Sequence, residues 1–149
     1  MKIQLAGLAA LFLSTTAAFA EGAQMTVHKD PNCGCCTAWA DLAQDASYEV
    51  AIIEDDDLYA LKDRLGVPAD MQSCHTVEVG GYVIEGHVPL QAVERLLSER
   101  PDATGIAVPG MPAGSPGMGD DPDARYDVVI WGGEAGDGAL YERMGPDRP

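Results

Sequence analysis

Three of the four cysteines crowd into one tetrapeptide, Cys33-Gly34-Cys35-Cys36, and the fourth is followed directly by a histidine at Cys74-His75. A fold stapled by disulfides spreads its cysteines so that each bridge closes a useful loop. Two structural bridges here would need one link to Cys74 and one local link inside the tetrapeptide. Disulfide geometry disfavours that pairing, because the Cα atoms need a particular separation and orientation. A chain of this kind must fold through an apolar core, and its thiols read as a site for soft-metal or redox chemistry.

The first twenty residues read as a secretory leader. Lys2 is the charged start, Leu5 to Leu13 the apolar run, and Ala18-Phe19-Ala20 the small-residue cleavage site. The apolar run is short for a membrane span. Cleavage after Ala20 leaves residues 21–149 as one domain, with a core over about 25–131. Loss of Lys2 takes the formal charge from -15 to about -16. That balance excludes nucleic acid and anionic lipid as partners, since both need clustered Lys and Arg. No membrane association is expected after cleavage. Export also places the thiols in an oxidising compartment.

Periodicity organises the rest. Met25 to His28 predicts a strand running into the Cys loop, and Cys36 to Ala46 a helix with Trp39, Leu42, Ala43 and Ala46 on one face. Glu49 to Ile53 predicts a buried strand. Asp55-Asp56-Asp57 then caps a helix carrying Leu58, Leu61 and Leu65, which Gly66 and Pro68 end. Thr76 to Val79 and Tyr82 to Glu85 flank Gly80-Gly81 as a hairpin, and Pro89 opens a helix with Leu90, Val93, Leu96 and Leu97 inward. The order β-α-β-α-β-β-α, with a Cys motif at the first strand-to-helix turn, predicts an α/β, thioredoxin-like domain. Pro101 to Ala124 is rich in Gly and Pro and predicts a long loop without helix or strand. Tyr126 to Trp131 predicts a further strand, with Ala139 to Arg143 returning beside it as a hairpin.

Thiols at a helix start are stabilised as thiolates by the unpaired backbone N–H groups and the helix dipole. Thiolate is both the nucleophile and the metal-binding form, so two uses stay open. Cys33 and Cys36 make a C-x-x-C suited to a thiol–disulfide oxidoreductase, with Cys74 resolving, although Cys35 adds a competing partner. For soft-metal binding the third thiol is an advantage, because thiolates and thioethers select Cu(I). A Zn(II) site would take Cys33, Cys36, Cys74 and His75 and leave Cys35 over, whereas a multinuclear Cu(I) cluster employs all four sulfurs. Met111 in the Gly/Pro-rich segment is a candidate thioether ligand and Met118 a weaker one. His87, at the hairpin exit, divides evenly between ligand and structural readings, and His28 reads as structural.

The segments from Lys29 to Trp39, Ser73 to Thr76, Gly80 to Pro89 and Ala107 to Met118 together resemble the CopG-like family of exported copper-binding proteins, once described only as a domain of unknown function. The resemblance spans roughly residues 25–130. It implies a thioredoxin-like fold, a periplasmic location and a Cu(I)–thiolate cluster used in copper resistance or homeostasis. It further implies Cys33, Cys35, Cys36 and Cys74 as the cluster thiolates and His75 as a neighbouring ligand or supporting group. Copper ions are the expected partners, with other periplasmic copper-handling proteins beside them, and the chain reads as a metal-binding protein rather than a conventional enzyme. His28 departs from the family pattern, which has an aromatic residue there.

Overall fold

Strand β1 (Gln24–Lys29) is hydrogen-bonded on both sides, and the sheet grows outward from it in two directions. The computed structural model describes residues 22–146, so the leader expected at 1–20 lies outside the described residues. Helix α1 (Gly34–Asp45) returns the chain to β2 (Glu49–Glu54), which runs parallel to β1. Helix α2 (Leu58–Arg64) and a short 3-10 turn at Ala69–Met71 lead to β3 (His75–Val79), antiparallel to β1 on its other side. Asp57 caps α2, its side chain accepting from the Ala60 N–H at 3.2 Å, as the acidic triplet predicts. Gly80 and Gly81, at φ 57° and 88°, supply the left-handed backbone of a two-residue turn into β4 (Tyr82–Glu85).

After helix α3 (Leu90–Glu99) come β5 (Gly105–Ala107), β6 (Tyr126–Trp131) and β7 (Asp137–Met144). The seven strands form one sheet in the order β2-β1-β3-β4-β5-β6-β7. The predicted β-α-β-α-β-β-α succession is present through α3, but the sheet is larger than the sequence suggested. The Gly/Pro-rich segment contains β5, which pairs parallel to β4 and bridges it to the C-terminal β6–β7 hairpin. Its three residues are fully buried, and the surrounding glycines and prolines mask so short a strand in any composition window.

Residue alternation assigns the two faces. Met25, Val27, Val77, Ile84, Ile106 and Ile130 point into one core, against Trp39 and Ala43 of α1 and Val93 and Leu96 of α3. Val83, Ala107 and Trp131 point the other way, against Val67 and Met71 from the segment after α2. Both tryptophans are anchored through their indole N–H, Trp39 to the Val88 carbonyl at 2.8 Å and Trp131 to the Gly66 carbonyl at 3.0 Å.

Two expectations need correction. Strand β2 is not buried: it is an edge strand paired only with β1, and Ile52 and Ile53 remain 42% and 44% exposed. Leu42 also faces outward, and the buried stripe of α1 is Cys36, Trp39, Ala40 and Ala43.

The chain passes most tightly at Gly105. A Cβ there would collide with the Val83 carbonyl oxygen and lie 2.7 Å from the Trp131 ring. Gly105→Ala is expected to destabilise the protein by about 1–3 kcal/mol through overpacking. Urea denaturation checks this, and an unchanged midpoint would show that β5 shifts freely.

Candidate metal centre

The turn from β1 into α1 builds the first half of the site. The Asp30 carboxylate accepts the Asn32 N–H at 2.7 Å, and the Asp30 carbonyl accepts the Cys33 N–H at 3.0 Å. Cys33 then occupies the N-cap position with no side-chain cap bond, so its sulfur is not spent on the helix. Cys35 and Cys36 lie in the first turn. Cys33 and Cys36 are joined as a disulfide across a Cα–Cα distance of 5.4 Å, while Cys35 and Cys74 are free thiols. The Cys35 sulfur sits 3.5 Å from that of Cys33.

The second half comes from the β3–β4 hairpin. Cys74 and His75 stand at the entrance of β3, and His87 stands just past the exit of β4. The register pairs Thr76 with Glu85, and the Gly86 N–H donates to the His75 carbonyl at 2.9 Å. Continued by one step, this pairing sets Cys74 across from His87. The Cys74 sulfur is 2.9 Å from His87 Nε2 and 3.5 Å from His75 Nδ1. His87 donates through Nδ1 to the Pro116 carbonyl at 2.7 Å, leaving the Nε2 lone pair aimed at the sulfur. His75 packs between Trp39 and His87, tilted to the first and edge-on to the second, with ring centroids 5.1 and 4.9 Å away.

Two ligand sets meet at one atom. The sulfurs of Cys33, Cys35, Cys36 and Cys74 lie within 4.8 Å of one another, and so do the ligand atoms of Cys74, His75 and His87. Cys74 belongs to both. The donors are soft sulfur and neutral imidazole, the set that suits Cu(I) and Zn(II). His75 Nε2 is buried with no hydrogen-bond partner, which fits a ring held for packing and ligation rather than for a polar network.

The sequence prediction is thus placed residue by residue. Cys33, Cys35, Cys36, Cys74 and His75 converge, and His87 joins them. Met111 does not share their burial: its side chain is 55% exposed, although Gly110 beside it is tied to Ser73 through the Ser73 hydroxyl. Met118 is half-buried in the Ser115–Met118 turn. That turn lies directly over the site, since a Cβ on Gly117 would come within 2.7 Å of the Cys35 carbonyl. His28 is apart from it, 3.0 Å from Glu78 on the neighbouring strand.

Burial sets the protonation states. Desolvation, with a smaller contribution from Cys35, pushes the Cys74 thiol up to about 12. Desolvation, reinforced by His87 and Lys62, lowers His75 to about 3, and desolvation also lowers His87. Without metal the centre therefore holds a neutral thiol and two neutral rings. The folded state binds fewer protons at His75 than the unfolded chain, so stability present above about pH 6.5 is lost as the pH falls toward about 3. In metal-free, reduced protein the Tm is expected to fall between about pH 7 and about pH 4.5. His75→Phe, which keeps a ring against Trp39, is expected to shrink that fall. An equal fall in both proteins would remove His75 from the acid response.

Comparisons with known proteins place the chain in a family. A family model described as "Protein of unknown function, DUF411" matches residues 71–118, the stretch that carries Cys74, His75 and His87. The solved structure "Copper resistance protein copG- Form 1" is 39% identical, with a TM-score of 0.77, covering 85% of this chain and 100% of that one. "Copper resistance protein copG- Form 2" is 40% identical, with the same TM-score of 0.77, covering 83% and 99%. No curated protein matches the chain. At that identity and coverage, the chain belongs to the CopG family of copper resistance proteins.

Proposed function

We propose that this chain is an exported, periplasmic protein that binds Cu(I) in copper resistance or homeostasis. It would hold the metal through Cys33, Cys35, Cys36 and Cys74, with His75 and His87 completing the site. The observation that carries this reading is the sharing of Cys74 between a four-sulfur set and a sulfur–imidazole set. Bridging thiolates allow a multinuclear cluster, which uses Cys35 rather than leaving it over. The β-α-β-α-β-β-α order with a Cys loop after the first strand supports a thioredoxin-like description of the scaffold. The leader at 1–20 supports export, and no helix among the described residues is long and apolar enough to cross a membrane. Met111 enters as a cover residue on the tethered loop. Sequestration, transfer to another copper-handling protein and change of copper oxidation state all use the same ligands.

A thiol–disulfide oxidoreductase is the second reading, and the Cys33–Cys36 disulfide with Cys35 beside it favours it. The two readings make opposite demands on those sulfurs. Reduction by a dithiol transfers two electrons and two protons, leaving two cysteine thiols and the dithiol as its disulfide. Under the copper reading this restores two ligands.

Anaerobic Cu(I) titration against a competing chelator, with Zn(II) in parallel, tests the proposal. Reduced protein is expected to take up Cu(I) tightly and in greater amount than the disulfide form. Cys36→Ser and Cys74→Ser should each lower the affinity at least tenfold, or about 1.4 kcal/mol. His87→Ala should lower it about 10–100-fold, in the range of lost supporting groups. Absence of tight Cu(I) uptake by the reduced protein would sink the copper reading. Turnover of a disulfide substrate that survives Cys35→Ser and Cys74→Ser would establish the second one.

A further inference from the structure

Beneath the candidate metal centre lies an ion pair that supplies no ligand to it. Lys62 of α2 and Glu85 of β4 are almost wholly buried, with side-chain exposures of 2% and 0%, and meet at 2.6 Å. Removing two charges from water is costly, and an apolar pair of similar volume often serves stability as well. What the charges do here is shown by their partners. Glu85 Oε1 accepts the Ser73 backbone N–H at 2.6 Å, and Glu85 Oε2 accepts the Thr76 hydroxyl at 2.7 Å. Lys62 Nζ donates to Thr76 Oγ1 at 2.7 Å as well as to Glu85.

Ser73 and Thr76 are the residues on either side of Cys74-His75. One carboxylate therefore grips both ends of the dipeptide that supplies a thiol and an imidazole. The same residue ends the strand that delivers the third ligand, two positions before His87. Ser73 extends the grip outward, its hydroxyl donating to the Gly110 carbonyl. A pair whose work was only to seat α2 on the sheet would need the Lys62–Glu85 contact alone. Three of the four hydrogen bonds go instead to Ser73 and Thr76.

We propose that the buried Lys62–Glu85 pair is a positioning clamp, which holds Cys74, His75 and His87 in ligand geometry through Ser73 and Thr76. The ligand role rests on the copper reading, but the mechanical role does not. A short strand entrance carrying two ligands would otherwise move as a loop, and its sulfur and ring nitrogens would not stay aligned.

Thr76→Val is the decisive variant, since it keeps shape and β-branching while removing the hydroxyl. Thr76→Ser is the conservative rescue, and Lys62→Met with Glu85→Leu removes both charges together. In reduced, metal-free protein, amide hydrogen exchange at Ser73 and Gly86 is expected to quicken at least tenfold in Thr76→Val. Exchange in β1 should not change, and Thr76→Ser should behave as wild type. Cu(I) affinity, measured by chelator competition, should fall at least tenfold in Thr76→Val and in the double variant, and recover in Thr76→Ser. Exchange that is unchanged, or that quickens equally across the whole sheet, would overturn the clamp and leave the pair a stability element. If wild-type protein binds no Cu(I), the copper reading fails by itself, and the exchange result alone decides the clamp.

Discussion

The β3–β4 hairpin register is the constraint on which the site depends. A two-residue turn at Gly80-Gly81 pairs Val79 with Tyr82, and every further pairing follows from that one. Thr76 must then oppose Glu85, His75 meets Gly86 through a backbone bond, and Cys74 faces His87. A slip by one residue would turn these side chains to the other face of the sheet and separate sulfur from imidazole. The Cys33–Cys36 turn depends on the same register at one remove, because β3 is held against β1 along its whole length. The turn glycines thus contribute to the metal centre while lying at the far end of the hairpin from it.

The electrostatics of the centre separate attraction from selection. A formal charge of -15 draws cations in general, but beyond about 8–10 Å that field is screened at physiological salt. Burial holds Cys74 as a thiol and both histidines as neutral rings in the absence of metal. No positive imidazolium repels an incoming ion there. Under the copper reading, selection would be left to donor softness, and a metal would gain the Cys74 thiolate only by displacing a proton. Asp57 of the acidic triplet serves as a helix cap.

Much of this was legible in the sequence because the signals were local. Strong periodicity marked the helices, Gly80-Gly81 marked the hairpin, and adjacency marked the thiols and His75. His87 was equally available, because counting outward from the turn places it across from Cys74; residue type alone does not weigh that arithmetic. Strand β5 was hidden for a different reason, since three residues among glycines and prolines carry no period of their own. The exposure of β2 was hidden because an apolar strand reads the same at an edge as in a sheet interior. Lys62 and Glu85 were the least visible. A lysine on a helix and a glutamate on a strand read as solvated residues, and only the fold shows that they meet beneath Cys74-His75.

The position of Cys74 also divides the centre into two overlapping ligand sets that differ in their chemistry. The Cys33–Cys36 bond removes two sulfurs from the four-sulfur set, since a disulfide sulfur is no longer a thiolate ligand. Cys74, His75 and His87 lie outside that bond and are delivered by the hairpin, although the Cys36 sulfur lies 3.7 Å from the Cys74 carbonyl and Trp39 of α1 packs beside His75. Under the copper reading, oxidation would lower the number of thiolate ligands and reduction would restore them. Cys35, 3.5 Å from Cys33, stands where the two proposed uses of the loop meet: a bridging ligand under the copper reading and a competing partner under the exchange reading. The third thiol that would weaken a dithiol exchanger is thus one that a thiolate cluster would use, beside the Cys74 shared by both ligand sets.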